Sequence, residues 1–305
     1  MNNSTRHPSE SEEEIAAKID ERRREAIRDR HTQREALIAR LIDEGEFAFA
    51  RKLERCGNPL ELTCTCCGRE RTVLTRCDLK YCPACQHALA ARQVERYRRV
   101  VAAMQWPLFV TLTVKNYGRD EEPTVFVRRI RAAFTKLRRL RWWRRCVIGG
   151  VASIECTNRG RGWHPHVHAL IDCRWLSVTV PSPTRFDQGS VKAAGTKASR
   201  EVADQWELCT GRRASCKVRR VFSTDGGDPS AAAREVLKYS VKGSDLVAVT
   251  EPIGPLIRQL AATRTVVSWG SCYKIGKQKS GRVSQPCECG AIGECVPTEF
   301  VAPRR

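Results

Sequence analysis

The sequence predicts an α+β protein: an antiparallel sheet with flanking helices, joined to a small cysteine-rich module and a charged helical N-terminal segment. Three observations carry this. Val147 to Thr157 and Trp163 to Cys173 are two β-like runs separated only by Asn158-Arg159-Gly160-Arg161-Gly162, so they must pair as antiparallel neighbours. Strands and helices follow one another in mixed order rather than as strict βαβ units. Two Cys-x2-Cys pairs lie close together between residues 56 and 90.

The composition sets the bounds. The chain has 305 residues, 41% of them hydrophobic, enough for a real core. No run of 18 apolar residues occurs and the N-terminal residues show no apolar leader region, so neither a membrane partner nor export is expected. The formal net charge is +20 and it is uneven. Residues 1–55 hold 12 Lys/Arg against 13 Asp/Glu, and residues 56–305 hold 42 against 21. A body with that excess attracts polyanions. With 16 cysteines and no export signal, reduced thiols in the cytoplasm are expected, and clustered ones read as metal ligands.

Four regions follow along the chain. Residues 1–55 form a charged helical segment: Ser11 and Glu14 have capping-box spacing, and Ile15, Ile19, Leu37, Ile38, Leu41 and Ile42 give a sparse apolar stripe. Residues 56–90 are the cysteine module. Residues 91–245 form the main domain and residues 246–305 a less regular C-terminal region. Within the main domain, residues 91–104 read as a basic helix and Phe109 to Val114 as a strand. Residues 123–145 read as one helix opened by Pro123, with Phe126, Ile130, Phe134, Leu137 and Leu140 on one side. That helix carries nine Lys/Arg and no acid, so Arg128, Arg131, Lys136, Arg138 and Arg139 are candidate phosphate contacts. Residues 181–200 read as a loop, 200–209 as a short helix, and Cys216 to Phe222 as a strand. Asp228-Pro229 opens a helix running to Lys242.

Three of the six histidines fall in Trp163-His164-Pro165-His166-Val167-His168. Side chains alternate along a strand, so these three share a face, where imidazoles two residues apart can hold one divalent ion. Glu155, just before the turn, is the first choice for a third, carboxylate ligand, with His164 as the alternative. On the later helix Glu235, Tyr239 and Lys242 lie at i, i+4 and i+7 and share a face, while Ala233, Leu237 and Val241 form the buried stripe. Tyr239 offers an oxygen nucleophile, Lys242 can offset phosphate charge, and Glu235 can act as a base in a later step.

In this order the segments resemble the motifs of HUH endonucleases. Phe109-Val110-Thr111-Leu112-Thr113-Val114 resembles motif 1, His166-Val167-His168 the His-hydrophobic-His motif 2, and Tyr239-Ser240-Val241-Lys242 the tyrosine-and-lysine motif 3. Within that group the chain resembles single-tyrosine rolling-circle replication initiators, which also place a glutamate four residues before the tyrosine, here Glu235. The resemblance covers about residues 105–245. It implies an HUH nuclease fold with the histidine strand near the sheet centre, Mg²⁺ or Mn²⁺ as the working ion, and nicking of single-stranded origin DNA. The tyrosine would keep the 5′-phosphate, and the freed 3′-hydroxyl would prime a host DNA polymerase in a bacterial or archaeal cell. No P-loop is present, so a host helicase is the expected partner for strand separation.

Cys64-x2-Cys67 and Cys82-x2-Cys85 predict one structural zinc, with Cys66 and Cys77 as spare or alternative ligands. Cys272, Cys287, Cys289 and Cys295 are candidates for a second site. Cys56, Cys146, Cys156, Cys173, Cys209 and Cys216 read as small apolar residues. Two other readings compete. An HUH transposase or relaxase fits less well, because relaxases usually place the tyrosine before the histidines. A zinc-dependent DNA-binding regulator accounts for the charge and cysteines but not for the histidine strand followed by the tyrosine helix.

Overall fold

Five strands make the central sheet: β3 (Pro107–Val114), β4 (Gly149–Asn158), β5 (Trp163–Asp172), β6 (Ala214–Arg220) and β7 (Val266–Gly270). The computed structural model describes residues 12–117, 126–158, 160–178, 188–221, 230–237, 243–273 and 295–297. Their order is β6-β3-β5-β4-β7 and every neighbouring pair is antiparallel, so the histidine strand β5 is central. The β4–β5 turn needs positive φ twice, and glycine supplies it at Gly160 (+80°) and Gly162 (+83°). Asn158 Oδ1 accepts from the Gly160 N–H at 2.9 Å and fixes the reversal.

The two faces of the sheet do different things. Leu108, Val110, Leu112, Ala152, Ile154, Val167, Ala169 and Ile171 enter the large core. That core is covered by α4 (Phe126–Arg139), α5 (Arg141–Cys146) and α6 (Gln188–Thr210). Phe126, Ile130, Phe134 and Leu137 of α4 are buried at the expected helical spacing. On the other face Phe109, Val151 and Leu170 lie beneath α3 (Cys85–Ala102) and α7 (Ser230–Leu237). Tyr97, Val100 and Val101 of α3 and Ala233, Val236 and Leu237 of α7 close this second core.

Around the sheet, α1 (Glu12–Asp43) is largely exposed through its first half, but its last turns belong to the body. Leu37 and Leu41 are buried there. The Arg40 guanidinium donates to the carbonyls of Leu246, Val249 and Glu251 at the end of α8 (Gly243–Ala248), where a cation complements the helix dipole. The Glu44 carboxylate accepts from the N–H groups of Ile253 and Gly254, which open α9 (Gly254–Ala262). The short helix α2 (Phe47–Glu54) leads into a second sheet of three strands: β1 (Pro59–Cys64), β2 (Glu70–Leu74) and β8 (Cys295–Pro297), in the order β2-β1-β8. Among the described residues, no helix is long and apolar enough to cross a membrane.

Several expectations are revised. The helix expected over 123–145 is two helices, because Leu140 takes an extended ψ of 142°, which lets both Trp142 and Trp143 turn inward. The loop expected to reach residue 200 ends by Gln188, and α6 starts there, in a proline-free stretch rich in alanine and lysine. The C-terminal region is more regular than expected: Val266 and Val267 belong to an edge strand on β4. Pro123, Ser11, Asp228 and Pro229 lie outside the described residues.

Candidate functional site

Residues of β5 on the α3/α7 side of the sheet are His164, His166, His168 and Leu170. Register then dictates their neighbours. Glu155 on β4 is directly opposite His166, and Ser153 is opposite His168. On the other side Thr113 is opposite His166 and Thr111 opposite His168. Glu155 is buried, and its Oε2 lies 3.2 Å from His166 Nε2 and 3.1 Å from His168 Nε2.

The remaining ring nitrogens are held from behind. His166 Nδ1 is 3.1 Å from the His164 carbonyl oxygen, so Nδ1 carries the proton and donates to it, leaving the Nε2 lone pair toward Glu155. His168 Nδ1 faces the Thr111 hydroxyl at 3.3 Å, with the Phe109 ring centroid 5.7 Å away. Burial alone would push the Glu155 carboxyl up, but hydrogen bonds and charge from the two imidazoles outweigh it and hold the group well below its ordinary range. Two imidazole nitrogens and one carboxylate oxygen form a donor set able to hold a divalent cation. Adjacent ligands of an octahedral ion bound at 2.0–2.1 Å stand about 3.0 Å apart, close to the two oxygen–nitrogen separations observed. Ligand atoms of Glu155, His166 and His168 all lie within 4.8 Å of one another. His164 is not part of this trio; its ring stands 5.5 Å from that of His166.

α7 brings its end to the same place. Ser153 Oγ donates to the Val236 carbonyl, tying the last turn of α7 to the strand position beside His168. Glu235 is exposed on this helix, and Ala233 and Leu237 are buried as expected, joined by Val236. Tyr239, Val241 and Lys242 lie outside the described residues. Of the other tyrosines, Tyr81, Tyr97 and Tyr117 are buried. Tyr273 is exposed but follows the end of β7, whose Gly270 pairs with Gly149, six residues or about 20 Å along β4 from Glu155.

Sequence reasoning missed a basic row on this face. Lys217 and Arg219 of β6 pair with Thr111 and Phe109, are exposed, and point to the histidine side, with the Arg219 guanidinium 5.0 Å from the Phe109 ring centroid. The alternation in Ala214-Ser215-Cys216-Lys217-Val218-Arg219 was the available signal. The expected phosphate contacts of α4 lie elsewhere. Arg128, Arg131, Lys136 and Arg139 line a groove of about 630 Å³, on the helix that covers the opposite side of the sheet from the Glu155 cluster. Arg138 turns inward, stacked over the rings of Phe134 and Trp269 at 5.1 and 4.8 Å, and burial lowers its pKa.

The cysteines regroup. Cys82 and Cys85 come together as expected, but with Cys56 and Cys77 rather than with Cys64 and Cys67. Cys56 Sγ is 3.6 Å from Cys82 Sγ and 3.3 Å from Cys85 Sγ, and Cys77 Sγ is 3.7 Å from Cys85 Sγ. Four thiolates around one ion at about 2.3 Å stand about 3.8 Å apart, so the spacing suits a tetrahedral metal. The reason lies in the β1–β2 hairpin. Its register pairs Pro59 with Leu74, so Cys56 and Cys77, each three residues further, flank the hairpin base. Cys64 and Cys67 are at its tip, about 25 Å away along an extended strand. Hydrogen bonds from Cys77 and then Cys82 hold Cys85 well below the ordinary thiol range at the first residue of α3, while Cys82 is pushed up to about 12. Cys272 packs into the core under α3 and α7, and Cys287 and Cys289 lie outside the described residues.

With this geometry in place, two comparisons with known proteins agree in kind. Residues 71–175 match the Replication protein family, Rep_1. The chain is thereby similar to replication proteins over about a third of its length. Its relatives include Protein rep of Lactiplantibacillus plantarum, 27% identical over 215 residues, which are 66% of this chain and 65% of that protein. No solved structure matches the chain.

Proposed function

We propose that this protein is a Rep protein, a rolling-circle initiator of the HUH endonuclease type, which nicks single-stranded origin DNA with Tyr239 and later rejoins it. One observation carries the reading: the Val236 carbonyl is pinned to Ser153, the strand partner of His168, and Tyr239 follows only three residues later. Three residues reach at most about 10 Å, so the phenol is tethered to the Glu155–His166–His168 cluster. The three buried tyrosines and the distant Tyr273 leave no equal competitor.

Glu155, His166 and His168 would hold Mg²⁺ or Mn²⁺, which when bound polarises a phosphodiester and neutralises its charge. Tyr239 Oη attacks phosphorus, the bond to O3′ breaks, and the 5′-phosphate stays on the tyrosine while the 3′-hydroxyl is released. Lys242 would offset phosphate charge. Glu235, exposed on α7, accepts the proton of a later nucleophile, a water or a 3′-hydroxyl. The ester bond is conserved through the link, so joining needs no ATP. Cys56, Cys77, Cys82 and Cys85 would hold a structural zinc, thiolates being softer than the imidazole–carboxylate set. Host helicase and DNA polymerase complete the system.

The test is covalent capture. Incubated with single-stranded origin DNA and Mn²⁺, the protein forms an adduct that survives denaturing electrophoresis. Tyr239→Phe abolishes the adduct and keeps DNA binding. A Tyr239→Phe protein that still forms the adduct assigns the nucleophile to Tyr273, and a wild-type protein that forms none is a DNA-binding regulator.

A further inference from the structure

The nicking site leaves the basic side of α4 without a task. Phe126, Ile130, Phe134 and Leu137 fix one side of this helix in the core. Helical spacing therefore turns Arg128, Arg131, Thr135, Lys136 and Arg139 outward together, where they line the groove of about 630 Å³. Residues 126–146 contain nine Lys/Arg and no Asp or Glu. Among the described residues, none of the four groove cations has an ion-pair partner. Like charges crowded in this way repel. Arg138 is lowered by burial first and then by Arg139 and Arg131, and Lys80 by burial and then by Arg131. A bound polyanion relieves that repulsion. Two features select its kind. Arg128 and Arg139 stand about 16 Å apart along one helix axis, enough to reach phosphates on both sides of a duplex major groove about 12 Å wide. Single strands are held instead on aromatic platforms where bases stack; α4 exposes no aromatic side chain, and the neighbouring Trp142 and Trp143 are buried.

We propose that the outward side of α4 is a second DNA site, which grips the phosphate backbone of duplex DNA on the side of the sheet opposite the Glu155 cluster. Its contacts go to phosphates, so it positions a duplex without reading the sequence. The sheet then keeps a duplex flank behind it while the single strand lies in front. The site adds to the proposed initiator role but needs neither Tyr239 nor a metal.

Binding is read by fluorescence anisotropy with the full-length protein, without added Mg²⁺ or Mn²⁺, on an arbitrary-sequence duplex of about 20 base pairs, or two helical turns. Arg128→Gln, Arg131→Gln, Lys136→Gln and Arg139→Gln combined should lower the slope of log affinity against log salt by about 3.6, four contacts at about 0.9 each. The slope for a short single strand that covers only the scissile linkage should stay that of wild type. An unchanged duplex slope in the fourfold variant overturns the proposal. So does a wild type that binds no duplex, or a loss confined to single strands. No adduct is read, so failure leaves the nicking chemistry standing, and a protein that never nicks can still pass. Should the fourfold variant fail to fold, acylation of the wild type decides. Saturating duplex should shield exposed Lys136 from an amine-reactive reagent; equal labelling with and without duplex overturns the site.

Discussion

Replacing Glu155 with glutamine tests the core of the site with almost no change of volume. The carboxylate oxygen now stands 3.2 and 3.1 Å from two imidazole nitrogens, on what would be adjacent edges of a coordination octahedron. The amide keeps an oxygen there but removes the only negative charge of the trio. Loss of a group that merely orients a ligand weakens metal binding 10–100-fold. Loss of a directly bound anion belongs at or beyond the upper end, so Mn²⁺ affinity should fall at least about 100-fold, or about 2.7 kcal/mol. Calorimetric titration of Mn²⁺ at neutral pH measures this, and covalent capture should fall with it. The same variant carries a pH signature in the metal-free protein. The folded Glu155 carboxyl is held below its ordinary 4.5, so its contribution to stability is fully present above that pH and is lost as pH falls through the folded value. Denaturant unfolding across that acid range should show the loss in wild type and not in Glu155→Gln. A variant whose Mn²⁺ affinity stays within about threefold of wild type refutes the assignment; His164→Ala should then show the large loss instead.

Three further outcomes follow from the same geometry. Ser153→Ala removes the tie between β4 and α7, a bond of about 0.5–1.5 kcal/mol, so adduct formation should slow about three- to tenfold while Mn²⁺ affinity is unchanged; an unaltered rate would mean that α7 needs no such anchor. Cys56→Ser should release the zinc of the hairpin base and lower stability by more than about 4 kcal/mol, the range reached when a structural metal is lost, as read by chemical denaturation; zinc retained in Cys56→Ser would contradict the regrouped ligand set. Reversing charge at Lys217 and Arg219 together should weaken single-stranded DNA binding and reduce the slope of log affinity against log salt by about 1.4, the share of two phosphate contacts; a slope equal to wild type would place the strand elsewhere.

The parts of this site that depend on short-range rules could be read from the chain. Alternation placed three histidines on one face, and the short turn put Glu155 on the neighbouring strand; with four residues, 159–162, between the strands, the register sets it opposite His166. The choice between Glu155 and His164 could not be made, because it depends on which atom enters the space between two rings. Cys56 was misread for a different reason. It belongs to no Cys-x2-Cys pair, and only the hairpin register, in which positions 56 and 77 are equidistant from the turn, shows that it meets Cys77. The break at Leu140 has no glycine or proline to announce it; it is imposed by the burial of Trp142 and Trp143. Edge strand β7 is five residues long and half-buried, with too little alternation to stand out.

The placement of α4 behind the sheet governs how long a useful substrate must be. Its arginine-lined groove and the Glu155 cluster look out in opposite directions, with a full layer of strands between them. A nucleic acid can visit both only by rounding a rim of that partition, and the rim formed by β6 offers Lys217 and Arg219 as stepping stones. Oligonucleotides just long enough to cover the scissile linkage would therefore engage one side alone. Those able to wrap the rim would gain a second hold, so affinity should rise in a step with length rather than smoothly.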